Sequence, residues 1–162
     1  MIADRGSMTR GFRGARAILD RVVLRVVFGA DDDNECVAAV KACIAERYDL
    51  EPVDPDAWPR MAHRLGAAVA GGRADLGVVM CWTGTGTAIA ANKVRGVRAA
   101  QASDPWIARN ARRWNDANVL ALSSRRLAPD VAVECVIAFL ETSEIDPDER
   151  ALVDELAALD QY

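Results

Sequence analysis

The stretch Leu76-Gly77-Val78-Val79-Met80-Cys81-Trp82-Thr83-Gly84-Thr85-Gly86-Thr87 decides how this chain reads. Leu76–Met80 is short and wholly apolar, as expected of a strand buried on both faces in the middle of a parallel sheet. A Gly/Thr turn follows at Thr83–Thr87, and Ala88–Asn92 continues as helix. Working outward, the same alternation repeats on both sides. Val22–Phe28 is a β-rich run ending at Gly29. Cys36–Tyr48 carries Val37, Val40, Ile44 and Tyr48 at helical spacing. Leu50–Val53 is a weak strand, broken by Pro52, Asp54 and Pro55. Trp58–Ala70 is a helix ended by Gly71-Gly72. Val97–Ala100 is a strand, Pro105–Trp114 a helix and Val119–Leu122 the fifth strand. Val131–Leu140 and Glu149–Leu159 are helices, the last amphipathic through Leu152, Leu156 and Leu159, facing its own sheet or a partner subunit. Five strands alternating with helices predict an α/β fold, a three-layer Rossmann-like sandwich around a five-stranded parallel sheet. Residues 1–20 form a basic arm with Arg5, Arg10, Arg13 and Arg16, and residues 21–162 form one domain.

Composition narrows the function classes. Among 162 residues, 24 are acidic and 20 basic, a net charge of −4 that gives no reason to seek nucleic acid. No run of 18 apolar residues occurs, so no membrane partner is expected. The lone histidine, His63, rules out multi-histidine metal sites and is assigned to the surface or an interface. Without an export signal the expected compartment is the reducing cytoplasm, and no disulfides are expected among Cys36, Cys43, Cys81 and Cys135. The spacing of Cys36, Cys43 and Cys135 marks them as packing residues.

In an open parallel sheet, ligands bind beyond the carboxyl ends of the strands. Two of those ends are unusual. Asp31-Asp32-Asp33 follows the first strand; it reads as helix capping by Asp33 or Asn34, or as carboxylates that hold hydroxyls and move protons. No second ligand cluster accompanies it, so no metal is expected. Met80–Thr87 follows the central strand and joins a thiol to a glycine-rich helix start. A plain strand-to-helix connection would meet that spacing. So would a thiol with a lowered pKa, acting as base or nucleophile beside amides that stabilise negative charge.

Two long motifs go further. Cys81-x-Thr83-Gly84-x-Gly86-x-x-Ile89-Ala90-Ala91-Asn92-Lys93-x-x-Gly96-x-Arg98-Ala99-Ala100 and Trp114-Asn115-Asp116-Ala117-Asn118-Val119-Leu120-Ala121-Leu122 closely resemble the ribose-5-phosphate isomerase B family, which includes galactose-6-phosphate isomerase subunits. The likeness runs from about Val26 to about Leu140. Phe28-Gly29-x-Asp31 matches the family's first strand end, and Trp58-Pro59 falls where the family has tyrosine-proline. The resemblance implies an aldose–ketose isomerase working through a cis-enediolate, with no cofactor, as a homodimer or tetramer whose sites are shared between subunits. It implies Cys81 as the base at carbon, with Asp31, Thr83 and Asn115 assisting and the amides of Gly84, Thr85 and Gly86 as the anion hole.

Departures from the family pattern bear on the substrate. Asp32 stands where the family has a phosphate-binding histidine, Trp114 where it has a ring-opening histidine, and Trp82 where it has a glycine. Acidic Glu141–Asp148 offers no match for the family's phosphate-binding arginines, although Arg112 sits where arginine recurs. A carboxylate about 5 Å from a phosphate charge costs roughly 3 kcal/mol at an effective dielectric near 20. The expected small-molecule partner is therefore an altered, unphosphorylated sugar-like compound, with Trp58, Trp82 and Trp114 as apolar faces or else as core and interface residues. The alternatives are a true ribose-5-phosphate isomerase with a relocated phosphate site at Arg112 or an arm arginine, a non-catalytic binding relative, and a redox-sensing thiol protein.

Overall fold

The computed structural model describes residues 23–161; the basic arm expected at residues 1–20 lies outside them. The elements, in chain order, are β1 (Arg25–Ala30), α1 (Glu35–Arg47), β2 (Asp49–Pro52), α2 (Trp58–Ala70), β3 (Leu76–Cys81), α3 (Thr85–Ala91), β4 (Ala99–Gln101), α4 (Pro105–Asn115), β5 (Val119–Ser123), α5 (Pro129–Leu140) and α6 (Arg150–Ala158). The strands form one sheet in the order β2-β1-β3-β5-β4. Every pairing is parallel. The three-layer α/β fold expected from the sequence is the fold observed.

Period-two alternation splits the sheet's side chains between two cores. Val26, Phe28, Val78, Met80, Leu120 and Leu122 face α1, α4 and α5 and pack with Ile44, Val136 and Phe139. Val27, Val79, Val119 and Ala121 face the other way, against Met61 and Leu65 of α2 and Ala88 and Ala91 of α3. All six residues of β3 are buried, because helices cover both of its faces. Gly77 is where that packing is tightest: a Cβ there would stand 2.7 Å from Leu65 Cδ2.

Several boundaries move, each for a local reason. β1 starts at Arg25, opposite Asp49, and runs to Ala30, where it still pairs with Met80. α3 starts at Thr85, because Gly84 takes a left-handed conformation (φ 79°) that turns the chain straight into a helix. β4 starts at Ala99: Gly96 (φ 82°) and the Val97 N–H to Val94 carbonyl bond keep Val97 in a turn. The last helix begins as a 3-10 turn at Pro147–Glu149. Val153 is its buried residue, while Leu152, Leu156 and Leu159 are 60%, 41% and 62% exposed. Within one chain, that leucine face does not pack on the sheet.

The direction of the crossovers reverses between β1 and β3, which places a topological switch point at their adjoining carboxyl ends. There the Asp31 N–H donates to the Met80 carbonyl at 3.3 Å, drawing the aspartate loop against the start of the Cys81 turn.

Candidate active site

A cavity of about 410 Å³ opens at this switch point, lined by Asp31, Trp58, Cys81, Trp82, Thr83, Thr85 and Gly86. A larger hollow of about 720 Å³ lies among Leu24, Tyr48 and Leu140, and no cysteine or histidine lines it.

Cys81 is the last residue of β3 and only 6% exposed, yet it forms part of the cavity wall. Its sulfur accepts the Gly84 N–H at 3.2 Å and the Thr87 hydroxyl at 3.4 Å. Burial pushes the thiol up. The Thr87 hydroxyl and the backbone N–H groups of Thr87, Thr83 and Gly84 together outweigh burial and hold it below the ordinary thiol range. At the other cysteines burial wins: it pushes Cys36 and Cys43 up, and Cys135 up to about 12 despite a backbone N–H that favours its charged form. Four free cysteines in one fold thus divide by whether hydrogen bonds outweigh burial, and the one with the depressed pKa faces the cavity.

Gly84 makes this geometry. Its left-handed backbone aims its own N–H at the sulfur, and a Cβ there would stand 2.9 Å from the Leu122 carbonyl carbon. Of the three amides expected as an anion hole, that of Gly84 donates to the thiol, and those of Thr85 and Gly86 have no such contact with it. They lie in the first turn of α3, where N–H groups have no partner within the helix. The Thr83 and Thr85 hydroxyls share a hydrogen bond of 2.7 Å at the rim. Trp58, 42% exposed, lies against Gly86, where a Cβ would meet its ring at 3.1 Å. Trp82 is 61% exposed, so it is a wall and not core. Partial burial raises Asp31 above the usual carboxylate range, and the neighbouring Asp32 charge adds to the effect.

Arg112, Trp114 and Asn115 are not in this cavity. α4 runs from the carboxyl end of β4 to the amino end of β5, so its last turn lies at the opposite end of the sheet. Arg112 is committed elsewhere. It donates to the carbonyls of Thr142 (3.2 Å) and Ala117 (2.7 Å) and to Asp116 (3.0 Å), with its guanidinium 5.7 Å from the Phe139 centroid. Trp114 packs edge-on against Trp106, centroids 5.4 Å apart. Asn115 is exposed.

The expected repulsion by Asp32 also changes. Its carboxylate is ion-paired with Arg125 at 2.9 Å, and the Arg125 guanidinium stands 5.2 Å from the Trp82 centroid. Asn34 caps α1 through the Val37 N–H, so one of the two expected N-cap residues is the cap.

Sequence reasoning passed over two residues. Thr87 falls three positions after Gly84, at the point in a first turn that looks back at the strand end. Arg125 lies two residues beyond β5, the strand next to β3, and only the sheet order brings it to Trp82.

Residues 28–156 match the family model described as Ribose/Galactose Isomerase. Ribose-5-phosphate isomerase B of Escherichia coli K12 is 34% identical over 145 residues, covering 85% of this chain and 97% of that one. D-erythrulose-4-phosphate isomerase of Pectobacterium atrosepticum is 39% identical over 95 residues, covering 58% and 62%. The solved ribose-5-phosphate isomerase B of Clostridium thermocellum superimposes with a TM-score of 0.79 at 28% identity, covering 85% of this chain and 98% of that one. The fold, the switch-point site and these likenesses agree: the chain belongs to the Ribose/Galactose Isomerase family and is an aldose–ketose isomerase.

Proposed function

We propose that the cavity interconverts an aldose and a ketose through a cis-enediolate, with the Cys81 thiolate as the base at carbon. The carrying observation is a thiol held below its ordinary pKa on the wall of a cavity sized for a small sugar. The thiolate takes the proton from the carbon next to the carbonyl, and the electron pair moves into the enediolate. The thiol then returns that proton to the neighbouring carbon. Charge on the enediolate oxygens meets the Thr85 and Gly86 amides, at the positive end of a short helix. Asp31, raised by burial, moves the proton between the two oxygens. Thr83 at the rim assists opening of a cyclic substrate.

Asn115 completes this site from a second copy of the chain, in a homodimer or tetramer. One chain holds it at the far end of the sheet, and the exposed leucines of α6 leave an apolar face to cover. The expected compartment is the cytoplasm.

We propose a sugar-like substrate without a phosphate, in view of Asp32, Trp82 and Trp114 at positions where the resembled family has histidine, glycine and histidine. A ribose-5-phosphate substrate is the second reading. The names of the relatives favour it, and so does the Arg125 charge that offsets Asp32.

Hydrogen exchange tests both. In deuterated water, a panel of aldoses with and without a terminal phosphate should show loss of the proton next to the carbonyl by NMR for at least one sugar. Cys81→Ala should abolish that loss. No exchange on any sugar, with binding retained, would favour a non-catalytic relative.

A further inference from the structure

The turn that carries Cys81 is held by its carbonyls. The Cys81 carbonyl accepts the Ser124 N–H at 2.8 Å. The Trp82 carbonyl accepts the Ser123 hydroxyl, and the Thr83 carbonyl accepts Gln101 Nε2 at 3.0 Å. The Gly84 carbonyl accepts the Thr87 hydroxyl and the Ala88 N–H, each at 3.1 Å. Successive carbonyls thus each have a donor, and two of those donors are side chains from neighbouring strands. Ser123 ends β5, is buried, and pairs in register with Cys81. Its oxygen accepts the Arg126 N–H at 2.9 Å and the Arg125 N–H at 3.3 Å, which leaves the hydroxyl hydrogen for Trp82. Gln101 ends β4, one strand further out, and its exposed side chain reaches across the end of β5 to the turn.

A peptide unit is planar, with its C=O and N–H on opposite sides, so a bond that fixes the oxygen also fixes where the hydrogen points. The oxygen held by Ser123 belongs to the Trp82–Thr83 peptide, and the oxygen held by Gln101 to the Thr83–Gly84 peptide. Burial opposes the charged form of Cys81, and the N–H groups of these two units, at Thr83 and Gly84, are among the donors that favour it. That of Gly84 donates to the sulfur at 3.2 Å. We propose that Ser123 and Gln101 are positioning residues for Cys81: by holding the Trp82 and Thr83 carbonyls, they aim the N–H groups of the same two peptide units at the sulfur. The inference rests on the reading of Cys81 as the base, and it extends the control of that thiol to two further strands of the sheet. The charged groups around the turn are otherwise engaged or apart from this link. Asp31 lines the cavity beside Cys81, and Asp32 is paired with Arg125. Asp104 caps α4, Arg60 and Arg64 of α2 are paired with Asp56, and His63 is exposed. Neutral substitutions at Gln101 and Ser123 leave all of these charges in place.

The ultraviolet absorbance of the thiolate, followed against pH, tests this without any substrate. A Cys81→Ala counterpart of each variant serves as the blank for the tyrosines and the other cysteines. Gln101→Met keeps the length of the side chain and removes the donor at an exposed position. Its midpoint should move toward alkaline pH, so that below the midpoint the thiolate fraction falls about threefold. Thermal melting of Gln101→Met should stay close to wild type. Ser123→Ala should move the midpoint the same way, and the double variant Q101M/S123A should move it further than either change alone. With any sugar that turns over, the Gln101→Met deficit should fall on kcat with KM near wild type, and it should close at alkaline pH. A midpoint unmoved in Gln101→Met would overturn the proposal, since the side chain would then only tie β4 to the turn. So would a folded Ser123→Ala that titrates as the wild type does; should that variant fail to fold, Gln101→Met decides. If the midpoints move as expected and no sugar turns over, the isomerase reading fails and the positioning role stands.

Discussion

A thiol buried beneath a cavity wall is ordinarily a poor base, because burial disfavours its charge. Cys81 escapes this through donors three and six residues further along the chain. In the proposed reaction the thiol must be deprotonated to act as base, so kcat/KM should rise with pH along a limb whose pKa lies below the usual thiol range. Cys81→Ser keeps the shape but not the acidity. It should lower the rate of solvent exchange by about 10²-fold or more. Thr87→Val removes one donor from the charged form and should move that limb toward alkaline pH. The rate at neutral pH should fall by about tenfold while the alkaline plateau is kept. A profile unmoved by Thr87→Val would show that the hydroxyl serves α3 and not the sulfur. The thiol itself was legible in the sequence, as the end of an apolar strand followed by glycines. The hydroxyl was not, since a threonine in a first turn also has an ordinary partner, here the Gly84 carbonyl at 3.1 Å.

At the scale of elements, Trp58–Ala70 was readable to the residue because Pro59 opens that helix and Gly71 closes it. The α3 boundary was not, because a single left-handed residue set it. Gly84→Ala should test that turn. The Cβ would meet the Leu122 backbone at 2.9 Å in a conformation L-residues avoid, so we expect a loss of stability of about 1–3 kcal/mol. Activity should fall further than stability at a temperature where the variant is folded, because the amide aimed at the sulfur moves. Arg112 is a contrasting case: a cation in a helix reads as a surface or ligand group, and tertiary structure adds its bonds to Asp116, Ala117 and Thr142. Arg112→Ala should therefore act on the fold. Denaturant melting should show a loss of about 1–3 kcal/mol, because the Ala117 and Thr142 carbonyls lose their donor while Asp116 keeps Arg98, with KM little changed among molecules that remain folded.

The whole molecule poses a problem that one chain does not solve. The sheet separates Cys81, at its carboxyl end, from Asn115, at its amino end, and the helix joining β4 to β5 makes that separation a consequence of topology. Alternating strands and helices made the topology legible; they could not reveal which residues of two motifs meet, because periodicity carries no information about a second copy. If both groups serve one reaction, the second copy must supply one of them. Two inactive variants then make a direct assay. Cys81→Ser and Asn115→Ala, each prepared alone, should be inactive or nearly so. Mixed in equal amounts and allowed to exchange subunits, half of the dimers are mixed, and each mixed dimer has one site with both defects and one with neither. The mixture should recover roughly a quarter of wild-type turnover. Recovery should need time for exchange and should vanish if the subunits are cross-linked before mixing. Lack of recovery with proven exchange would place Asn115 outside the reaction, leaving the Thr85 and Gly86 amides to bear the enediolate charge.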